Sequence, residues 1–335
     1  MSRPCRGPPV LSAPRRSPCP PFPPLGDTAT GAPARTGFLL AVLAGALWGT
    51  SGPLNVALFR TGIDPWSAGV LRPLVGALFL IPFLWAGSRR TRPATDPEAP
   101  PRSPWVGPLG AALLGGIPFA VFQVVYALST DRVGVPATVA LLYLSPALIL
   151  ALQGPLFGER PSRAQVAVAA VSVAGVWLVV LGGGGTLPVG APGELVWGLL
   201  TGASFAAYIL FGRWMAPQIG SVAALTWSTL GAAGLLLGAA LVTGRPPALP
   251  GSPAAWGILV VLAAATIPLA SILFFGALVR IDPGKASVGA TVEPLVGTLL
   301  AGLFLGQTLG PTGWAGMALL VAGVAGTSMI SSGEG

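Results

Sequence analysis

The chain has 335 residues, 53% of them hydrophobic and only 8% charged, with a mean hydropathy of +0.78 and a net charge of +8. A soluble domain carries about a quarter charged residues, so this composition excludes a water-covered globular surface and suits a chain whose solvent is lipid. Histidine is absent and both cysteines, Cys5 and Cys19, lie near the N-terminus. That removes the commonest general base, the usual zinc ligand and every Ser-His or Cys-His nucleophile pair, so neither a metal nor a cofactor is expected.

Residues 1–36 are rich in Pro, Arg and Ser without apolar period and read as a disordered basic tail. The apolar stretch that follows, Gly37 to Leu58, is long enough to cross a bilayer and reads as an uncleaved first helix rather than a signal peptide. Apolar segments then recur at 66–86, 107–129, 134–154, 164–181, 194–214, 221–242, 255–279, 285–305 and 311–331. The predicted fold is an all-α integral membrane bundle of ten helices. Two glycine-rich places imitate phosphate loops and fail on inspection. No Lys-Ser/Thr follows the Gly182–Gly185 run, which reads as an external turn. Gly284-Lys285 has Val279 where a glycine is needed and Ala286 where a hydroxyl is needed.

The positive charge follows membrane topology rather than nucleic-acid binding. With the N-terminus inside, one side holds Arg3, Arg6, Arg15, Arg16, Arg35, Arg89, Arg90, Arg92, Arg102, Arg160, Arg163, Arg213, Arg280 and Lys285. The other side holds Arg60, Arg132 and Arg245. Both termini are therefore expected in the cytoplasm, in a multi-pass protein of the cell membrane.

An internal repeat organises the chain. Ile117-Pro118-Phe119-Ala120, running on to Ala127-Leu128, matches Ile267-Pro268-Leu269-Ala270, running on to Ala277-Leu278, at an offset of 150. A shift to 148 then aligns Arg132 with Arg280, Pro146 with Pro294, Gly158 with Gly306, and Val173-Ala174-Gly175-Val176 with Val321-Ala322-Gly323-Val324. The repeats are expected over 37–181 and 194–331. Five helices per half is odd, so the halves must insert in opposite senses, as in secondary transporters with a midplane site.

Leu47-Trp48-Gly49-Thr50, Arg72, Tyr126-Ala127-Leu128, Ser145-Pro146 before Gly158-Glu159, and Glu293-Pro294 before Gly306-Gln307 occur in this order. In this the chain resembles the drug/metabolite transporter superfamily, and specifically its EamA-type ten-helix branch. The resemblance covers 37–331. It implies a central cavity lined by both halves and export of amino acids or related small metabolites. It also implies an acidic residue where Gln307 stands, so the second half is expected to lack a cytosol-proximal carboxylate.

Ionisable residues inside a span are costly and draw attention first. Glu293 shares a stripe with Gly289, Gly297 and Ala301, a face that packs on protein. It is read either as a proton- or substrate-coupling carboxylate or as a structural glutamate bonded to a neighbouring helix. Arg72, beside Ala68, Gly69 and Gly76, also faces inward, to meet a substrate carboxylate, pair with Glu293, or brace its helix. Glu159 reads as an interfacial ion-pair partner. Trp48, Tyr126, Tyr143, Tyr208 and Trp227 are either cavity lining or ordinary packing. Asn55, Gln123 and Ser271 are polar at mid-membrane depth and each requires a partner there. The prolines Pro118, Pro146, Pro268 and Pro294 recur in matched pairs, and bending at them is expected to serve both gates.

The expected function is that of a secondary transporter exporting a small-molecule substrate by alternating access with proton coupling, as a monomer or homodimer in the bilayer. A sodium-symporter type of five-plus-five fold requires unwound first and sixth helices, and only Gly49, Gly52 and Pro53 suggest a break in the first. A membrane-embedded enzyme acting on lipid or peptide is the alternative from another class. It requires clustered acids, histidines or a Ser-Lys pair in the bilayer, where this chain has one acid and no histidine. A purely structural role leaves Glu293 on an interior face without purpose.

Overall fold

A computed structural model describes residues 32–88, 107–158, 161–181 and 192–333. The basic tail up to residue 31, the arginines at 89–102, Glu159, Arg160 and the Gly182–Gly185 run lie outside the described residues. Ten apolar helices follow one another: α1 (Ala34–Phe59), α2 (Pro65–Phe83), α3 (Pro108–Arg132), α4 (Val135–Phe157), α5 (Arg163–Leu181), α6 (Leu195–Ile219), α7 (Ser221–Val242), α8 (Pro253–Leu278), α9 (Pro283–Leu305) and α10 (Pro311–Gly333). No strand occurs among the described residues.

The helices have the inverted polarity of a lipid-solvated bundle. Large apolar side chains such as Leu78, Leu241, Leu303 and Phe304 point outward, while Thr201, Thr226, Ser228 and Thr229 are wholly buried. Those hydroxyls need a partner where no water reaches. Thr201, Thr226 and Thr229 donate to the carbonyls of Trp197, Val222 and Leu225, one turn back in their own helices. Helix starts are fixed by ordinary caps. The Ser252 hydroxyl accepts from the Ala255 amide, and Ser162 and Gln165 form a reciprocal capping box ahead of α5.

Helix pairing carries the repeat into three dimensions. The pairs α5–α10, α2–α7 and α4–α9 each join equivalent helices of the two halves. Every further cross-half pair has a counterpart. α1 packs on α8 as α6 packs on α3, α1 packs on α9 as α6 packs on α4, and α2 packs on α8 as α7 packs on α3. A pattern unchanged by exchanging helix n for helix n+5 is that of two halves related by a two-fold axis. Since each half crosses the membrane five times, they stand inverted in it.

Local devices repeat as well. α4 is broken at Tyr143-Leu144, between Val135–Leu142 and Ser145–Phe157. α9 is broken at Thr291, between Pro283–Ala290 and Val292–Leu305. In the 148 register Tyr143 is equivalent to Thr291, and Pro146 and Pro294 each fall within the first three residues of the resumed helix, where proline's missing N–H costs least. Gly158 and Gly306 end these helices with φ of +73° and +70°, a left-handed cap that a side chain would strain. α3 and α8 each contain one π-helical turn, Ala111–Gly115 and Ala265–Leu269. Pro268 lies inside its turn and Pro118 three residues beyond the other.

Close approach of backbones is bought with small residues. A Cβ on Gly49 of α1 would stand 2.7 Å from the Glu293 carbonyl oxygen of α9, and a Cβ on Gly202 of α6 would stand 2.6 Å from the Leu141 carbonyl oxygen of α4. An offset of 153, which also aligns Gly45 with Gly198, Ser51 with Ser204 and Arg60 with Arg213, relates Gly49 to Gly202, so a close crossing of this kind is built in each half.

Candidate functional site

The broken and bulged helices converge on a cavity of about 640 Å³ between the two halves. Ten of its 34 lining residues are aromatic. The Phe119 and Tyr208 rings stack at 4.6 Å, Phe122 lies 5.1 Å from Phe205 and 5.5 Å from Tyr126, and Trp48 lies 5.4 Å from Phe274. The cavity runs to Arg213, Ser221 and Pro283 at the ends of α6, α7 and α9, all exposed, so it is open at that end of the bundle. No residue from the last two turns of α1 or α9 lines it, and that end is closed.

Two opposite charges stand in this apolar space. Arg72 of α2 is buried, 5% exposed, and its Nη2 donates to the Ser51 hydroxyl at 3.2 Å and the Thr266 hydroxyl at 2.8 Å. Its guanidinium carbon lies 5.8 Å from the centre of the Tyr126 ring, a cation–π distance. Glu293 of α9 accepts a hydrogen bond from the Tyr143 hydroxyl of α4 at 3.0 Å. The two charges make no ion pair with each other; Arg72 is held by hydroxyls of α1 and α8, and Glu293 by one hydroxyl of α4.

Thr266 ties this constellation together. It lies in the π-helical turn of α8, its hydroxyl accepts from Arg72 and donates to the Leu262 carbonyl, and its own carbonyl accepts from Trp48 Nε1 at 3.1 Å. The carbonyl that accepts from the indole thus belongs to a residue inside the π turn, where the backbone ladder slips by one residue. Sequence reasoning missed Thr266 and Ser51. The signal was present: each is a hydroxyl beside a helix-breaking residue, Thr266 two before Pro268 and Ser51 two before Pro53.

The remaining sequence candidates fall into two groups. Trp48, Gln123, Tyr126, Tyr143, Tyr208, Ser271 and Pro146 line the cavity with Arg72 and Glu293. Asn55 is buried and does not line the cavity, nor do Pro118, Pro268 and Pro294. Trp227 packs with Phe211 against Met215 and Ala224. The pairing of Arg72 with Glu293, one of three roles considered for that arginine, is not formed. The position of Gln307 needs correction too. It follows α9 at the closed end of the bundle, where its Oε1 accepts from the Val135 amide at 2.8 Å. Inversion of the repeat puts it across the membrane from the Gly158 end of α4, so it does not mark a vacancy on that side.

A bundle of two inverted five-helix halves around a central cavity, with charged groups held at mid-depth by polar neighbours, is the architecture of a membrane transporter. The EamA-like transporter family model matches the chain twice, over residues 35–181 and 193–329. Relatives include "Uncharacterized transporter YwfM" of Bacillus subtilis, 25% identical over 85% of this chain and 91% of that one. Another is "Uncharacterized inner membrane transporter YicL" of Salmonella typhimurium, 24% identical over 87% and 94%. A solved crystal structure, 22% identical, superposes with a TM-score of 0.60 over 88% of this chain and 98% of that one and shares the fold. The chain belongs to the EamA-like transporter family.

Proposed function

We propose that the chain exports a small amphiphilic organic molecule, an amino acid or related metabolite, across the cell membrane by alternating access, with protons as the coupling ion. The observation that carries this reading is the pair of opposite charges, Arg72 and Glu293, kept apart by separate hydroxyl partners inside an aromatic cavity. A molecule bearing both a carboxylate and an amine completes each of them without displacing the other. Its apolar body then lies against Phe119, Phe122 and Tyr208, where burial of apolar surface is favourable.

The basic-residue bias puts the open end of the cavity, with Arg213 and Lys285 around it, in the cytoplasm. The closed end, with Arg60, Arg132 and Arg245, faces out. The structure then corresponds to an inward-facing state loaded from the cytoplasm, and both termini are cytoplasmic. Flux into and out of proteoliposomes with an imposed pH gradient, against a panel of amino acids, nucleosides and organic cations, tests the proposal. Proton-driven flux of a zwitterion is expected; indifference to every zwitterion on the panel, with transport of a cation alone, would overturn the assignment of Arg72.

A further inference from the structure

A second concavity, of about 510 Å³, lies among α1, α8 and α9 and shares no described lining residue with the central cavity. Its walls face lipid: Phe304 is 69% exposed and Val261 53%. Leu47, Thr50, Leu54 and Ala57 recur three and four residues apart and form one stripe of α1 along it. Among the described residues that line it, only Thr50 and Arg60 are polar. The Thr50 hydroxyl already donates to the Leu47 carbonyl at 2.7 Å, one turn back. The groove therefore offers a ligand an apolar wall and, at one end, a cation.

Apolar surface alone selects nothing in a bilayer, because lipid tails solvate every outward leucine alike. Length and charge set this groove apart. From Leu47 to Arg60 is thirteen residues, about 20 Å of helix, and half of a bilayer is also about 20 Å once its headgroups are counted. The groove thus runs from mid-depth, beside Trp48, to headgroup level, the reach of one lipid in one leaflet. Arg60 is exposed at the end of α1, and its guanidinium makes one hydrogen bond among the described residues, from Nη1 to the Phe304 carbonyl at 3.3 Å. That bond spans the end of the groove from α1 to α9. No acid lines the groove, and the helix carbonyls that end there repel an anion, so Arg60 is the group that draws one. The groove belongs to the packing rather than to the repeat. Ala57 and Val261 correspond to Leu210 and Ala111 at offsets of 153 and 150, and both of those are buried.

We propose that this groove binds one anionic phospholipid of the leaflet on the α1–α2 loop side, with an acyl chain along Leu54, Ala57 and Leu300 and the phosphate on Arg60. Guanidinium and phosphate match as a two-pronged, charge-assisted pair. The seat bears on the central cavity whichever solute is carried. Leu47 and Ala265 of the groove directly precede Trp48 and Thr266, which are joined at 3.1 Å and of which Thr266 accepts from Arg72. An acyl chain on the outer side of the α1 break and the π turn of α8 supports that bond from behind. An occupied groove also favours the packing in which the groove exists.

Photo-crosslinking of the full chain in liposomes tests this, using phosphatidylglycerol with a diazirine in mid-chain and mass-spectrometric mapping of the adducts. Adducts are expected to concentrate at residues 47–57 and 300–305. They are expected to fall about fivefold with the phosphatidylcholine analogue or in Arg60→Gln, the effect of one basic residue on an anionic lipid. Ala57→Trp fills the groove and is expected to abolish these adducts. It is also expected to abolish the rise in unfolding temperature that phosphatidylglycerol gives the unaltered protein in detergent. Val261→Trp, on a more exposed wall, takes its place should Ala57→Trp not fold. Adducts spread evenly over the lipid-facing helices, or unchanged by Arg60→Gln, would overturn the site. An equal thermal rise from inorganic phosphate would show a free-anion site and overturn the lipid.

Discussion

The hydrogen bond from Tyr143 to Glu293 joins α4 of one half to α9 of the other at the breaks in both helices, and its removal has a size that can be worked out. The bond is 3.0 Å long and its acceptor is a carboxylate held by no other described side chain. Hydrogen bonds to charged groups contribute about 1.5–3 kcal/mol in water-soluble proteins, whereas membrane cycles average about 0.6 and reach about 1.7 kcal/mol, because the unfolded chain in lipid also finds partners. Tyr143→Phe keeps the ring packed on the apolar cluster that holds Leu141 and removes the hydroxyl alone, so the expected loss is about 1–2 kcal/mol. Glu293→Gln keeps an acceptor for the hydroxyl and loses only the charge, so its cost is expected to be smaller, about 0.5–1 kcal/mol. The double variant is expected to fall short of the sum, because both changes act on one bond. Equilibrium unfolding in mixed micelles reads the three stabilities, and proteoliposome flux reads the function. Glu293→Gln is expected to abolish proton-driven transport while exchange of substrate across the membrane persists, since glutamine retains size and polarity but cannot titrate. Strict additivity of the two changes would show that the bond carries no energy. Unchanged pH dependence of flux in Glu293→Gln would show that Glu293 is structural, and the cavity offers no second acid to replace it.

Arg72→Gln is expected to raise the KM for carboxylate-bearing substrates at least about tenfold, the loss of one charge-assisted contact, while their methyl esters change little; an equal effect on both would point to a bracing role. Gly49→Ala is expected to destabilise by about 1–3 kcal/mol because its Cβ meets the Glu293 carbonyl at 2.7 Å. Gly238→Ala in α7, where a Cβ meets nothing within 4 Å, is expected to be neutral or to gain up to about 1 kcal/mol, and thermal unfolding compares the two. A cytoplasm-active reporter fused to the C-terminus is expected to be active, and one fused after Leu249, between α7 and α8, inactive; activity at Leu249 would break the inverted topology.

Much of the fold is legible in the sequence because lipid imposes a simple demand. A helix must be long and apolar enough to cross; nine of the ten predicted segments meet that condition among the described residues and the tenth, Pro311–Gly333, is an apolar helix as well, with ends displaced by a few residues. The repeat is equally visible, since Gly158 and Gly306 are required by a left-handed cap and cannot drift. Glu293 and Arg72 stand out because a charge in an apolar run is costly wherever its helix packs. The tertiary structure alone decides partners and access. Hydrophobic length says nothing about rotation of a helix about its axis, so it cannot tell that Arg72 meets Ser51 and Thr266 rather than Glu293. Nor does it show the π turn whose Thr266 carbonyl accepts from Trp48, a one-residue slip in the ladder that leaves the apolar pattern unchanged. Which end of the cavity is open lies deepest of all. α2 packs on α3 whereas α7 and α8 have no comparable interface, a difference that apolar length and pattern leave open.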